Sequence, residues 1–230
     1  MNRNQYEDLI QTYGVETVIR KLSPYLTDAR RERIGATLNA RLKSIHIAAE
    51  APYDLHNALA IVRTAEALGL TNVHIINPHE KAKYKATTTR GAAYWLQLQY
   101  HLTTHDYIRQ MQSQSITLIG ACVTDTSLTL EDIPVDKPIC LLFGNEHRGL
   151  SQEAVDACQE TFKIPMFGMT ESYNLSVSAA IALYETCKKR RKDLKQEGDL
   201  TPNEILTEKA WAYMHSIGKG KVRAMLDGLE

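Results

Sequence analysis

Two stretches in the second half of the chain constrain its fold more than any others. They are Leu141-Leu142-Phe143-Gly144-Asn145-Glu146-His147-Arg148-Gly149-Leu150-Ser151 and Ile164-Pro165-Met166-Phe167-Gly168-Met169-Thr170-Glu171-Ser172-Tyr173-Asn174-Leu175-Ser176. Each is an apolar run that stops abruptly in glycine and polar residues and resumes as a helical pattern. That is the outline of a loop beyond the carboxyl end of a buried strand, where open α/β sheets place their ligands. Two such loops about 20 residues apart can build one pocket.

The rest of the chain reads as α/β around them. The first 43 residues are polar and helical. Ser44–Ala49 is a short strand, His56–Leu68 a helix stopped by Gly69, and Val73–Ile76 the next strand, a unit that implies parallel pairing through a right-handed crossover. Pro78–Ala93 is a long polar loop rich in threonine, with Lys81, Lys83, Lys85 and Arg90. Trp95–Tyr100 alternates as a strand, followed by a helix near 106–114 and a strand at 116–122. Pro138–Phe143 is continuously apolar, the mark of a strand covered on both faces. A helix at 151–158, a strand at 162–164 and a helix from Leu175 to Arg191 complete the body. A further helix starts near Thr201-Pro202. The expected division is a basic helical extension at 1–43, a main α/β body at 44–195 and a helical extension at 196–230.

Composition excludes several functions. With 43% hydrophobic and 23% charged residues in 230, and no apolar run near 18 residues, no membrane segment is expected. The start, Met1-Asn2-Arg3-Asn4-Gln5, lacks the apolar centre of a signal peptide, so a cytoplasmic protein is expected. Cys122, Cys140, Cys158 and Cys187 are widely spaced and read as buried reduced thiols. The eight histidines show no ligand spacing, so no metal is expected. The glycine fingerprints of dinucleotide and P-loop sites are absent, which argues against a nicotinamide dehydrogenase.

Net charge is zero, but seven Lys/Arg fall between Arg20 and Lys43 (20, 21, 30, 31, 33, 41, 43) and six between Lys188 and Lys195 (188 to 192, and 195). These two basic poles suggest a localised polyanion surface. Solvated helix faces would give the same pattern.

Individual residues carry two readings each. Leu55, Leu59 and Val62 recur at helical spacing and should face the core. Arg63 falls with Ala60 and Ala67 on a stripe of small residues, able to meet a phosphate or carboxylate bidentately, or to pair with Glu66 at the surface. Gly144 would let a ligand approach the backbone. Glu146 would accept hydrogen bonds or orient an arginine, or sit near the next helix start. Ser172 and Asn174 are N-cap candidates. Met166 and Met169 would line an apolar pocket for a flat base, or fill the core.

Together, Asn57-x5-Arg63-Thr64-Ala65, Leu142-Phe143-Gly144-Asn145-Glu146-x2-Gly149 and Ile164-Pro165-Met166-x-Gly168-Met169-x2-Ser172-x-Asn174-Leu175-Ser176-Val177-Ser178 resemble the three ordered motifs of the TrmH-like branch of the SPOUT methyltransferases. The resemblance covers roughly residues 45–190, includes Arg90-Gly91-Ala92-Ala93-Tyr94-Trp95, and is nearest to the tRNA guanosine enzymes of the D-loop. Tyr173 and Glu171 depart from the leucine and glutamine usual there. The resemblance implies an α/β fold with a mostly parallel sheet and a C-terminal trefoil knot, an obligate homodimer, and transfer of methyl from S-adenosylmethionine to a ribose 2′-hydroxyl of tRNA or rRNA. It implies Arg63 as the central catalytic residue, supported by Asn57, Glu146, Ser172 and Asn174. Cofactor contacts are implied at Ala121, Gly144, Ile164, Met166 and Tyr173. A catalytically silent RNA-binding dimer would use the same basic poles.

An arginine is a poor base because its pKa exceeds 12. The chemistry therefore suggests that Arg63 binds the adjacent phosphate and stabilises developing alkoxide charge. The family proposal gives the proton to Arg63 itself, and His56 is a further candidate base.

Overall fold

The computed structural model describes residues 3–78, 89 and 91–228. Lys81, Lys83, Lys85 and Arg90 lie outside the described residues. Helices α1 (Arg3–Tyr13), α2 (Val15–Leu22) and α3 (Asp28–Asn39) come first. The body follows as β1 (Leu42–Glu50), α4 (Leu55–Ala67), β2 (Leu70–Ile76), β3 (Gln97–His101), α5 (Thr104–Ser113), β4 (Thr117–Ala121), β5 (Ile139–Phe143), α6 (Gln152–Ala157), β6 (Glu160–Phe162) and α7 (Leu175–Leu194). Helices α8 (Pro202–Ile217) and α9 (Lys219–Asp227) end the chain. These elements form two compact units, Leu42–Gln196 and, together, Met1–Arg41 with Glu197–Glu230.

The larger unit is a six-stranded sheet in the order β3-β2-β1-β5-β4-β6, parallel at every pairing. Every residue of β5 is buried, as its continuous apolar run predicts. Ile45, Ile47 and Ala49 of β1 join Ile139, Leu141 and Phe143 of β5 in one core cluster, which also takes in Ile61 and Val62 of α4 and Ala182 and Leu183 of α7. On the opposite face, Ala48, Cys140 and Leu142 pack with Tyr107, Ile108 and Met111 of α5. The central strands are thus covered on both sides, and their carboxyl ends open toward the site loops.

Several strand bounds differ from the sequence reading, with β1 starting at Leu42 rather than Ser44 and β2 at Leu70 rather than Val73. Trp95 ends a short 3-10 turn (Ala92–Trp95) entered through Gly91 at φ 84°, so the strand begins two residues later at Gln97. The last strand is Glu160–Phe162 rather than 162–164, because its register follows Ile119↔Glu160 and Ala121↔Phe162 on β4.

Three of the histidines meet. His46, His74 and His101 sit on adjacent strands beneath α5, with 3.0 Å between His46 Nδ1 and His74 Nε2, and 3.0 Å between His74 Nδ1 and His101 Nε2. Asn72 Nδ2 lies 3.3 Å from His46 Nε2. Burial first, then the neighbouring rings, pushes His74 down to about 2, and burial also lowers His101. His74 is therefore neutral, and the Asn72 amide at His46 Nε2 sets the order of the ladder, with His46 and then His74 donating from Nδ1 to Nε2 of the next ring. Tyr107 packs against His74 and His101 and donates to Cys140 Sγ at 3.1 Å. Among the described residues, no group of three His, Cys, Asp or Glu is placed to hold a metal ion.

In the smaller unit, Thr201 and Glu204 close a capping box at the start of α8. Trp211 meets Tyr6 edge-on at 6.3 Å, and the Arg3 guanidinium lies over its ring.

The basic poles are only partly free. Arg41 is buried, Arg30 donates to Ser216, and Arg31 donates to the carbonyls of Ser23 and Leu26. In the body, Arg190 is buried against Ser44 and the Val135 carbonyl. Lys189 donates to Ile133 and Arg191 to Leu68. Much of the charge that composition offered to a polyanion instead satisfies buried or loop carbonyls. The four cysteines are free, but only Cys140 and Cys187 are buried; Cys122 and Cys158 are half-buried. No helix among the described residues is long and apolar enough to cross a membrane.

Candidate active site

Beyond the end of β1 the chain turns through Ala51, held at φ 45°, and enters α4. Asp54 caps that helix by accepting from His56 N at 2.7 Å. Asn57 lies in the first turn, placed by the core packing of Ala58, Ile61, Val62 and Ala65.

Glu146 leaves the loop after β5 and reaches back across the sheet edge to this helix start. Its carboxylate accepts from Tyr53 N at 2.7 Å, Asp54 N at 3.3 Å and Asn57 Nδ2 at 2.9 Å. Partial burial opposes its charge, but the bonds from Asn57, Tyr53 and Asp54 together outweigh it and hold the carboxyl below its ordinary value. The helix that this carboxylate serves is α4, not the next helix along the chain.

Asn174 arrives from the third segment. It caps α7, accepting from Ser176 N at 2.8 Å, and donates Nδ2 to Asn57 Oδ1 at 3.0 Å. One amide, Asn57, thus donates to Glu146 while accepting from Asn174. The chain of bonds Asn174–Asn57–Glu146 brings together residues 117 and 89 positions apart, one from each motif segment.

Two site candidates stay outside this network. Ser172 is exposed and caps nothing. Arg63 is exposed and makes no hydrogen bond or ion pair among the described residues. Six residues past Asn57, it emerges about 240° around the helix and so faces a different direction.

The expected cofactor positions cluster by topology. β5, β4 and β6 are neighbours in the sheet, so Gly144, Ala121 and Ile164 stand at or just past three adjacent strand ends. Between Ile164 and Tyr173, no main-chain group makes a backbone–backbone hydrogen bond among the described residues. The Tyr173 hydroxyl donates to the Pro165 carbonyl at 3.4 Å. Apart from the Pro165 carbonyl, peptide groups unpaired with other backbone suit a heterocycle read by main-chain groups. Gly144 serves another purpose than the sequence suggests. A Cβ there would lie 2.1 Å from the Gly149 carbonyl carbon and 2.2 Å from Leu150 N, so the glycine admits its own loop, not a ligand. Met169 is fully exposed and Met166 is 38% exposed, which rules out core filling.

Sequence reasoning missed Glu50, which supports the site, and an aromatic pair that stands next to it. Glu50, buried at the end of β1, accepts from Thr104 Oγ1 at 2.6 Å, Ser151 Oγ at 2.6 Å and Ser151 N at 2.8 Å, anchoring the far end of the loop that carries Glu146. Tyr53 and His147 stand beside Glu146 as an exposed aromatic pair. The only signal for any of them is proximity in sequence to a motif.

A polar relay at the carboxyl edge of a parallel sheet, fed by three loops, stands where α/β enzymes place their ligands. The chain belongs to the SpoU rRNA Methylase family, which it matches over residues 44–184. It is 32% identical over 186 residues to the tRNA (guanosine(18)-2′-O)-methyltransferase of Borreliella burgdorferi, covering 81% of this chain and 83% of that one. The crystal structure of the TrmH/SpoU tRNA modifying enzyme of A. aeolicus superposes with a TM-score of 0.72 at 27% identity, over 84% of this chain and 98% of that one. The SpoU methyltransferase AviRb of Streptomyces viridochromogenes, solved in complex with AdoMet, shares the fold, with a TM-score of 0.58 at 24% identity over 67% and 62% of the two chains.

Proposed function

We propose that this chain methylates the ribose 2′-hydroxyl of a D-loop guanosine in tRNA, with S-adenosylmethionine as donor. The observation that carries the reading is the Asn174–Asn57–Glu146 chain of bonds, which joins all three motif segments of a SpoU-family sequence at one strand edge. The relatives' names favour tRNA; the family's own description keeps rRNA as the second reading. The cytoplasm, where tRNA is processed, is the proposed location.

The donor supplies a methyl group on a cationic sulfur. Ala121, Gly144, Ile164, Met166 and Tyr173 are proposed to hold it, through the free peptide groups that follow β6 and the adjoining strand ends. The proposed work of this chain's residues is positioning and charge stabilisation. Asn57, with both ends of its amide engaged, fixes Glu146 and Asn174 in one orientation, and such positioning supplies much of the rate of a displacement. Arg63, without a partner among the described residues, is proposed to grip the phosphate next to the target ribose and stabilise alkoxide charge. Ser172 is proposed to complete the site, and His56 remains a candidate base.

Arg63 and Asn57 diverge around α4, so we propose a homodimer in which a second copy completes the site. Supporting this, the third segment and α7 expose apolar side chains: Phe167 at 96%, Met169 at 101% and Tyr184 at 61%, with Val177 beside them. The trefoil knot is proposed from the family resemblance and the β1-β5-β4-β6 order. Residues 44–195 are proposed as the catalytic body, and the terminal helices as RNA-gripping extensions.

Incubation with labelled S-adenosylmethionine and separate tRNA and rRNA pools tests the reading. Label on a D-loop 2′-O-methylguanosine of tRNA is the expected result. Label confined to rRNA selects the second reading, and no label on either RNA rejects both.

A further inference from the structure

Beside the relay stands a pair of aromatic rings to which the chemistry above gives no part. Tyr53 is 67% exposed, although burying a tyrosine ring is strongly favourable. Its ring meets the exposed His147 edge-to-face, centroids 4.7 Å apart at 79°. The two rings come from different loops, one after β1 and one after β5.

Their backbones are pinned. Tyr53 N donates to Glu146 at 2.7 Å. His147 N donates to Asn145 Oδ1 at 2.9 Å, and Arg148 N shares that acceptor at 3.1 Å. Asn145 Nδ2 in turn donates to the Ala51 carbonyl at 2.7 Å, and its backbone exchanges two 2.9 Å bonds with Gly149. The residues that build the site therefore also fix the rings, Tyr53 through its main-chain bond to Glu146 and His147 as the next residue along the chain. Arg148, exposed and with no side-chain partner among the described residues, adds a cation at the rim.

A preordered, solvated aromatic surface with a cation beside it, at the edge of a polar site, matches what single-stranded RNA requires. Bases unstacked from a loop stack on aromatic faces, and basic side chains meet the adjoining phosphates. We infer that Tyr53 and His147 form a stacking platform for one nucleobase of the RNA strand whose ribose is methylated, with Arg148 on its backbone. This rests on the methyltransferase reading and adds to it the surface that holds the substrate base. Stacking is blind to base identity, so the platform contributes affinity and placement rather than sequence choice.

The test measures tRNA binding separately from methyl transfer in full-length wild type, Tyr53→Phe, Tyr53→Ala and His147→Ala. S-adenosylmethionine affinity and sedimentation are followed alongside. Tyr53→Ala should weaken tRNA binding and raise KM for tRNA about tenfold, the change equivalent to ~1.4 kcal/mol of lost stacking. Its kcat, cofactor affinity and sedimentation should stay near wild type. Tyr53→Phe should restore KM to within about twofold, since the ring and not the hydroxyl is required, and His147→Ala should fall between. Unchanged tRNA affinity in Tyr53→Ala overturns the platform. So does equal damage in Tyr53→Phe, or a shift in sedimentation showing that the rings hold a protein partner instead. If wild type transfers no methyl to RNA while Tyr53→Ala still loses tRNA affinity, the platform stands and the methyltransferase reading fails.

Discussion

Asn57 donates its side-chain amide to Glu146 across 2.9 Å, from the first turn of α4 to the loop after β5. The same amide accepts from Asn174 at the start of α7. Replacing it tests whether this junction matters. Asn57→Ala removes the 2.9 Å bond to Glu146 Oε1, which keeps its 3.3 Å bond from Asp54 N, and takes away the acceptor of Asn174 Nδ2, at a cost of about 0.5–1.5 kcal/mol for each bond lost in this solvent-accessible setting. Methyl transfer should fall by about 10²-fold, with S-adenosylmethionine affinity nearly unchanged. Asn57→Asp should be worse, because it faces Glu146 with a second carboxylate. Single-turnover rates and calorimetry on both variants check this.

Glu146 carries a pH dependence of known sign. Its folded pKa is lowered, so the stability it contributes is present above the ordinary glutamate value and is lost as pH falls through the folded one. Melting temperatures between pH 7 and pH 3 should therefore decline less in Glu146→Gln than in wild type. An identical decline would mean that its hydrogen bonds do not distinguish the charged form.

The histidine ladder acts at higher pH. His74 is lowered by burial to about 2, while an unfolded histidine titrates near 6.5. The unfolded state takes up the proton first, so stability is intact above about pH 6.5 and drains away as pH falls toward 2. The limiting slope is about 1.4 kcal/mol per pH unit for each such histidine. His74→Gln keeps a donor and an acceptor without the titration. Its melting temperature should change less than that of wild type between pH 7 and pH 5. Parallel profiles would contradict the ladder's role.

Gly144→Ala should disrupt the second loop. The added Cβ meets backbone of Gly149 and Leu150 at 2.1–2.3 Å, and backbone cannot yield as a flexible side chain can. Overpacking of this kind costs about 1–3 kcal/mol or more. Thermal melts should show the loss, and transfer should suffer through displacement of Glu146. A variant with wild-type melting and activity would show that the loop relaxes freely.

Much of this was legible in the sequence. β5 declared itself by its apolar run, because a strand covered on both faces has no polar side to show. Asn174 declared itself as a helix cap and Thr201-Pro202 as a helix start, since that chemistry is local. What depends on register between strands was not legible. His46, His74 and His101 are 28 and 27 residues apart and meet only because β1, β2 and β3 pair in parallel. β6 was misplaced for the same reason: three residues on an edge carry too little pattern to fix a boundary. Gly144 was read as room for a ligand when the intruder is its own loop. Arg41 and Arg190 counted as surface charge until burial placed them inside. Of the site, Asn57, Glu146 and Asn174 converge. The roles of Arg63 and Ser172 are still carried by the family resemblance.

The most direct measurement concerns Arg63, exposed on α4 with no partner among the described residues. With unmodified tRNA and saturating S-adenosylmethionine, methyl transfer by Arg63→Ala should drop by at least about 10²-fold, the scale for losing one charge-stabilising group, while donor affinity and melting temperature hold. Transfer within a few-fold of wild type would contradict the account at its centre.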